Sequence, residues 1–221
     1  MVHIYYHIYA IEGVESIIDE QLDLMHKHFD FPFKLNVGIS IAHENVPSKP
    51  IIDKIYNYKK SNYKVRDIRC KGTEWVTLDL IQEDTNLFGD SDYIFYFHTK
   101  GASKLTEWSY ENMKDWRHFM NYFNIEKVKN VFKIFEKTEY NTYGVNFKTP
   151  TESNKLAYFG NFWWSKSNYI KSIDFKKSDR GNRIDAEFNY IQNGINWKPF
   201  SAYDSGINHY FASYKRENYI I

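Results

Sequence analysis

Short β-branched or aromatic segments alternate with helical patterns through the first hundred residues. The run from His3 to Ile11 is β-branched and aromatic, and apolar residues at helical spacing follow it. The same alternation continues to the apolar strand from Tyr93 to Phe97, which gives the order βαβαβαβ. This order predicts an α/β fold with a mixed, mainly parallel sheet flanked by helices, in which ligands bind at the carboxyl ends of the strands.

The element bounds follow from these patterns. Strands are predicted at 3–11, 33–41, 63–69 and 93–97, and helices at 14–29, 51–58 and 75–88. Later residues predict helices at 113–123, 128–135 and 183–192, and extended segments at 142–147, 158–165 and 197–203. No Pro/Gly/Ser-rich linker interrupts the chain, so we expect a single domain over 1–221.

Composition excludes several classes of protein. Lys and Arg number 29 against 28 Asp and Glu, which gives no electrostatic case for a nucleic-acid partner. Cys70 is the one cysteine, so an internal disulfide and a cysteine-rich zinc site are excluded and a reducing compartment is expected. The first residues lack the pattern of a signal peptide, and no apolar run reaches the roughly 20 residues of a membrane span. We therefore expect a soluble, cytoplasmic protein.

The residue types change from apolar to polar at the end of the strand from Tyr93 to Phe97, where the sequence continues as His98-Thr99-Lys100-Gly101. Lys100 offers a point charge to phosphate oxygens, and Gly101 lets backbone amides approach a ligand closely. An ordinary solvated turn with a surface lysine accounts for the same spacing. From these residues alone, both interpretations remain open.

A glycine and an amide interrupt the aromatic run from Tyr158 to Trp164. Sugars stack on aromatic rings, so Trp163 and Trp164 are candidate contacts for a sugar, although most such rings belong to the core. Gly160 and Asn161 are poor strand formers, which indicates a specific requirement at these two positions.

Carboxylates fall in or near the first turn of the predicted helix 183–192. The helix dipole favours their ionised form, and an ionised Glu187 could accept the proton of an acceptor hydroxyl. Arg183 could pair with a carboxylate or a phosphate. The alternative is a helix start with favourable charges and no catalytic role.

Taken together, four motifs resemble a known family: His98 to Gly101, Trp116-Arg117, Gly160 to Trp164, and Arg183 to Glu187. The chain is similar to the small GT-A glycosyltransferases of large DNA viruses, which include the amino-terminal rhamnosyltransferase domain of a multidomain chlorella-virus protein and have relatives in bacterial polysaccharide loci. The resemblance covers about Ile4 to His209. It implies a Rossmann-like GT-A fold and a hexosyltransferase that uses a nucleoside diphosphate sugar, with UDP as the expected nucleotide and rhamnose as a candidate sugar.

The resemblance also implies the positions of the two substrates. The donor set comprises His7, Tyr9 and Ala10 at the end of the first strand, Gly38 and Ser40 on the second, Thr77, His98, Thr99, Lys100, Gly101 and Arg183. The acceptor set comprises Gly160, Asn161, Trp163, Trp164 and Asp185. Glu187 matches the position at which inverting GT-A enzymes keep their general base.

A divalent cation, manganese or magnesium, is the candidate cofactor. GT-A enzymes normally present an Asp-x-Asp pair after the fourth strand, and here that position is His98-Thr99-Lys100. Asp90-Ser91-Asp92 has the literal pattern but precedes the strand, so we interpret it as a turn. His98 is therefore one candidate ligand, and His209 is another, because many GT-A enzymes place a metal or phosphate ligand near the carboxyl terminus.

The resulting hypothesis is inverting transfer of a sugar to a glycan hydroxyl, with Lys100 stabilising the diphosphate and Glu187 acting as base. Expected partners are a nucleotide-sugar donor and a glycan acceptor, without nucleic acid or a membrane span. A noncatalytic carbohydrate-binding module is the main alternative, supported by the aromatic content and by Trp163-Trp164. A nucleotidyltransferase is a second, although it would need a glycine-rich loop after the first strand, and 10–13 is a poor one.

Overall fold

The computed structural model describes residues 1–58, 62–69, 72–148, 156–188 and 190–220. At 62, 63, 65, 183, 184 and 188 it describes the backbone and not the side chains. Cys70 lies outside the described residues, and so does the side chain of Arg183.

Nine strands form a seven-stranded central sheet and a small two-stranded one. They are β1 (Val2–Ala10), β2 (Phe33–Ile41), β3 (Asn62–Arg69), β4 (Tyr93–His98), β5 (Thr142–Gly144), β6 (Phe147–Lys148), β7 (Ala157–Tyr158), β8 (Trp163–Lys166) and β9 (Pro199–Ser201). The central order is β3-β2-β1-β4-β8-β5-β9, and β6 pairs with β7. Only β8 runs antiparallel to its neighbours in the central sheet, so a mixed, mainly parallel sheet is confirmed.

Helices cover both faces of this sheet, as predicted. They are α1 (Glu15–His28), α2 (Ser48–Tyr56), α3 (Trp75–Asp84), α4 (Tyr110–Asn121), α5 (Val128–Lys137), α6 (Ser167–Ile170) and α7 (Arg183–Phe188). Successive β1 side chains alternate between two apolar cores: Ile4 and Tyr6 join the core under α1 and α4, whereas Tyr5 joins the core under α3. Of the helices described, none is long and apolar enough to cross a membrane.

The first half matches its predicted bounds closely, and the second half is more broken than predicted. β2 has the predicted bounds, and β4 extends one residue further, to His98. The predicted segment 158–165 is two strands, because Gly160 and Asn161 have φ values of 95° and 56° and turn the chain between them. The segment 142–147 is interrupted likewise at Asn146, with φ 50°.

The Asp90-Ser91-Asp92 segment is a turn at the amino edge of the sheet, as expected. Asp92 lies directly before β4, and its carboxylate accepts hydrogen bonds from the Met1 amino group (2.8 Å) and the backbone N–H of Gly89 (2.8 Å). Its other contact is with His3 Nε2 at 3.0 Å. These contacts hold Asp92 at the edge of the sheet opposite the predicted site.

Candidate functional site

The turn after β4 is fixed to the neighbouring strand β1. Thr99 Oγ1 accepts a hydrogen bond from the Tyr9 backbone N–H at 2.9 Å, and the Thr99 N–H donates to the His7 carbonyl at 3.0 Å. Gly101 has φ 88°, and a Cβ there would lie 3.0 Å from Met113 Cβ. The left-handed conformation and the close approach of α4 therefore both require glycine. The turn presents Lys100 at the carboxyl edge of the parallel strands.

Arg117, on α4, holds this turn in place through hydrogen bonds and an ion pair. Its Nη1 donates to the Lys100 carbonyl at 2.8 Å, while Nε and Nη2 bind the two carboxylate oxygens of Glu20 at 2.9 and 2.8 Å. Burial raises the pKa of the Glu20 carboxyl, but hydrogen bonds from His118 and Arg117 outweigh it and lower that pKa to about 2. The guanidinium is 1% exposed and fully engaged, so this ion pair is a structural support for the turn.

The Lys100 ammonium lies in a different environment. Lys100 is 7% exposed, and no carboxylate of the described residues lies within 4.0 Å of its Nζ. The Nζ instead lies 4.1 Å from the centroid of the Trp116 ring and 5.6 Å from that of Tyr210. Cation–π contacts stabilise a cation by roughly 0.5–2 kcal/mol, which does not replace the hydration it has lost.

Two further buried groups beside Lys100 lack hydrogen-bond partners. Nε1 of Trp116 and Nδ1 of His209 are buried and have no partner among the described residues. The two rings stack, with centroids 5.1 Å apart and an interplanar angle of 10°. An unsatisfied buried donor costs about 1–3 kcal/mol, so groups like these are expected where a ligand supplies the acceptor.

Asn146 determines which nitrogen of His209 carries the proton. Asn146 Oδ1 accepts from the Ser205 backbone N–H at 2.8 Å, which fixes the amide orientation and directs its Nδ2 to His209 Nε2 at 3.1 Å. Because Nδ2 can only donate, Nε2 accepts and the proton is on Nδ1. Burial, then the charges of Lys148 and Lys100, lower the His209 pKa to about 4 and keep the ring neutral. His209 therefore offers an N–H donor at Nδ1.

Gly160 allows the β7–β8 turn to lie against this cluster. A Cβ at Gly160 would lie 2.2 Å from Met120 Sδ and 3.1 Å from Trp116 Nε1, and its φ of 95° also favours glycine. Asn161, next in the chain, donates to the Ala186 carbonyl of α7 at 3.2 Å. The turn thus joins the Lys100 side of the site to α7, which carries Glu187.

Glu74 is a buried carboxylate that the sequence patterns did not single out. Tyr96 donates to its Oε2 at 2.8 Å, and Asn161 Nδ2 donates to the same oxygen. Its Oε1 lies 3.3 Å from His98 Nδ1, which is within ion-pair distance although the atoms are not aligned as a hydrogen bond. Burial raises the pKa of Glu74, but the neighbouring His98 and His7 and the Tyr96 hydroxyl lower it further than burial raises it. A charged Glu74 therefore links α3, β4 and the β7–β8 turn.

Several predicted donor residues hydrogen-bond one another. His7 Nδ1 lies 3.0 Å from Thr77 Oγ1, and its Nε2 lies 3.2 Å from Ser40 Oγ. A Cβ at Gly38 would lie 2.1 Å from Thr77 Oγ1, which explains the glycine by packing. All three polar side chains are buried, as is Ala10, and Tyr9 is the partly exposed residue at this edge.

Both predicted sugar-stacking tryptophans are fully buried. Trp164 stacks on Phe95 at 4.5 Å, and its Nε1 donates to the Asn124 carbonyl at 2.9 Å. Trp163 stacks on Tyr96 at 5.3 Å, and its Nε1 donates to Asn161 Oδ1 at 3.0 Å. Neither ring has a face open to solvent, and this favours the core interpretation of both residues.

The acidic residues of α7 differ in exposure. Asp185 is buried, and its Oδ2 accepts a hydrogen bond from the Asp179 backbone N–H at 2.8 Å. Glu187 is partly exposed and lies near enough to Tyr96 to help raise the pKa of that hydroxyl, after burial and Glu74. Of the two carboxylates, Glu187 is the more accessible.

The described residues contain no group of three or more His, Cys, Asp or Glu side chains arranged to hold a metal ion. His98 has Glu74 beside it, but Oε2 of Glu74 already accepts from Tyr96 and Asn161. His209 offers an N–H at Nδ1 where a metal would need a lone pair. The assignment of His98 and His209 as ligands of a divalent cation stays a prediction.

Comparison with known proteins does not assign the chain to a family. No family model matches the chain, and no curated protein matches it either. The chemistry of the site must therefore be argued from its own residues.

Proposed function

We propose that this protein is a glycosyltransferase of GT-A type that moves a sugar from a nucleoside diphosphate donor to a glycan hydroxyl with inversion. The observation that carries the proposal is the Lys100 ammonium, 7% exposed and without a carboxylate within 4.0 Å in the described part of the chain. A desolvated cation at the carboxyl edge of a parallel sheet suits a ligand that brings its own negative charge.

Groups around Lys100 fit a diphosphate. Trp116 Nε1–H and His209 Nδ1–H are donors without acceptors in the described part of the chain, and Lys148 is a second cation whose charge reaches His209. Phosphate oxygens only accept hydrogen bonds, so they would satisfy both donors and neutralise the ammonium. His209 then acts as a phosphate ligand, which the resemblance allowed, and no step requires a metal.

The nucleoside would lie over the ends of β1 and β2. Tyr9 is the partly exposed side chain there, and its backbone N–H is bonded to Thr99 of the phosphate turn. UDP remains the expected nucleotide through the resemblance. The buried side chain of His7 is hydrogen-bonded to Ser40 and Thr77, and these contacts support the strands that carry this site.

Glu187 is the proposed general base. It follows Ala186, whose carbonyl is bonded to Asn161, and Gly160 beside Asn161 touches the Trp116 ring of the phosphate cluster. The acceptor oxygen would attack the anomeric carbon as the bond to the diphosphate breaks. The hydroxyl proton would pass to Glu187, and the electron pair would leave on the phosphate oxygen.

Nucleotide binding separates a transferase from a carbohydrate-binding module. We expect a nucleoside diphosphate at 100 times its Kd to raise the melting temperature by about 5–10 °C. A panel of nucleoside diphosphates, with and without manganese, measures this shift, and hydrolysis of the matching nucleotide sugar measures turnover. No stabilisation by any member of the panel would contradict the proposal.

The base assignment has its own test. Glu187→Gln should lower transfer about 10²–10⁴-fold while donor binding is kept, because the amide cannot take a proton. Glu139→Gln is the matched control, since the Glu139 side chain is 86% exposed and paired with Lys198. Substantial transfer by Glu187→Gln would remove Glu187 from this role.

A further inference from the structure

Three large aromatic side chains are strongly exposed on two segments that contact each other. Trp108 is 81% exposed and lies just before α4, while Tyr210 and Phe211 are 42% and 76% exposed on the carboxyl-terminal segment. Asn112, in the first turn of α4, donates from Nδ2 to the Tyr210 carbonyl at 3.4 Å. Trp108 therefore lies just before the start of α4, and Tyr210 and Phe211 lie on a segment that is held to the first turn of this helix.

Further contacts hold the carboxyl-terminal segment against α4. Ser213 donates to the Asp115 carboxylate, and Lys215 Nζ lies 2.9 Å from the same Asp115 carboxylate. His209 is held by Asn146 and Ser205, so the segment is fixed on both sides of Tyr210 and Phe211. The exposed rings are therefore presented on a fixed support.

This aromatic surface borders the Lys100 cluster. The Tyr210 ring packs edge-on against Trp116, with centroids 5.1 Å apart, and lies 5.6 Å from Lys100 Nζ. One side of Tyr210 thus belongs to the proposed diphosphate site, and the rest of it is exposed beside Phe211. A ligand on the exposed rings would lie next to the donor.

Exposed aromatic clusters mark binding surfaces, and this one suits a sugar ring. Indole and phenol side chains join a flat apolar face to a polar edge, which matches the C–H face and the hydroxyls of a pyranose. The continuity with Lys100 favours a carbohydrate over a protein partner, because a glycan on these rings would lie beside the proposed donor diphosphate. Trp163 and Trp164 cannot fill the role, since both are fully buried.

We propose that Trp108, Tyr210 and Phe211 form the stacking surface for the acceptor glycan. The inference rests on the proposed function for the identity of the ligand. It moves the acceptor contacts from the β7–β8 turn to the start of α4 and the carboxyl-terminal segment.

Binding of defined oligosaccharides tests the surface. The probes are rhamno-, manno-, cello- and malto-oligosaccharides, with saturation-transfer NMR to detect binding and tryptophan fluorescence to measure it. We expect at least one probe to bind, and Trp108→Ala and Phe211→Ala each to weaken it at least about tenfold, the effect of losing an aromatic anchor. Both variants should keep wild-type affinity for nucleoside diphosphate.

Leu87→Ala is the control, because Leu87 is 73% exposed and follows α3 at the opposite edge of the sheet. Absence of binding to every probe, or equal binding by wild type and both aromatic variants, would overturn the inference. A self-associating wild type that Trp108→Ala and Phe211→Ala convert to monomers would overturn it too, by assigning the surface to protein contacts.

The same experiments separate this inference from the proposed function. Oligosaccharide binding through Trp108 without nucleotide binding would support the surface and contradict the transferase. Turnover of a nucleotide sugar with acceptor affinity unchanged in both aromatic variants would support the transferase and contradict the surface.

Discussion

Two buried cations meet at the turn after β4, and they differ in what surrounds them. Arg117 is paired with both carboxylate oxygens of Glu20 and with the Lys100 carbonyl. Lys100 has its ammonium over the face of Trp116, with no carboxylate within 4.0 Å among the residues described. The described residues thus balance the charge of Arg117 but not that of Lys100.

This difference assigns separate roles to the two residues. A buried ion pair with good geometry holds its elements in place, and removing one partner leaves an uncompensated charge. An unpaired buried cation disfavours folding, and such groups are expected where a ligand completes the site. Arg117 therefore supports the turn, and we propose that Lys100 is the residue of the turn that meets the ligand.

Lys100→Met gives the largest expected effect. Turnover of the best nucleotide sugar should fall about 10²–10³-fold, because a cation on the leaving diphosphate stabilises the transition state. The free energy of unfolding should stay the same or rise, since an unpaired charge is removed from a buried position. Release of nucleoside diphosphate and urea unfolding measure the two quantities.

Lys104→Met is the control for that variant, because Lys104 lies in the same loop but is paired with Glu107 and is partly exposed. A Lys100→Met protein that is strongly destabilised yet turns over normally would reverse the roles assigned to Lys100 and Arg117.

Arg117→Ala should destabilise the fold by about 3 kcal/mol, near the lower end for a broken buried pair, because Glu20 keeps some solvent contact and His118. Urea unfolding at neutral pH measures the change. Arg180→Ala, which removes an exposed pair with Asp79, should cost no more than about 1 kcal/mol. Equal effects of the two substitutions would show that burial does not distinguish these pairs.

Lowering the pH is expected to have a smaller effect on the free energy of unfolding. The folded-state pKa of Glu20 is about 2, below its ordinary value of 4.5, so its stabilisation is complete above 4.5 and is lost as the pH falls toward 2. The contribution is at most about 3 kcal/mol. The unfolding free energies of wild type and Glu20→Gln should therefore converge between pH 7 and pH 3. A constant difference over that range would contradict the paired description of Glu20.

The sequence predicted the strands of the first half better than the short strands after residue 140. β1, β2 and β4 are rich in β-branched and aromatic residues and are mostly buried on both faces, and their bounds are close to the prediction. The place of the Lys100 turn follows from the chain order, since the carboxyl ends of parallel strands share one edge. The strands after residue 140 have two to four residues each, too few for a periodic pattern.

Most of the contacts that the sequence patterns did not predict join residues that are far apart in sequence. Arg117 and Glu20 are 97 residues apart, and Glu74 meets Asn161 over 87 residues, so no local pattern reveals either contact. The run from Tyr158 to Trp164 indicates aromatic rings but not their exposure. Only the packed structure distinguishes buried Trp163 from exposed Trp108.

Indole N–H resonances give the most direct test of the claim that the Lys100 cluster receives the donor diphosphate. Nε1 of Trp116 has no acceptor among the residues that the structure describes, whereas those of Trp163 and Trp164 are bonded to Asn161 Oδ1 and the Asn124 carbonyl. In ¹H–¹⁵N spectra, adding the bound nucleoside diphosphate should shift the Trp116 indole N–H strongly and leave the other two nearly in place. A nucleoside diphosphate that binds without moving the Trp116 resonance would contradict the account.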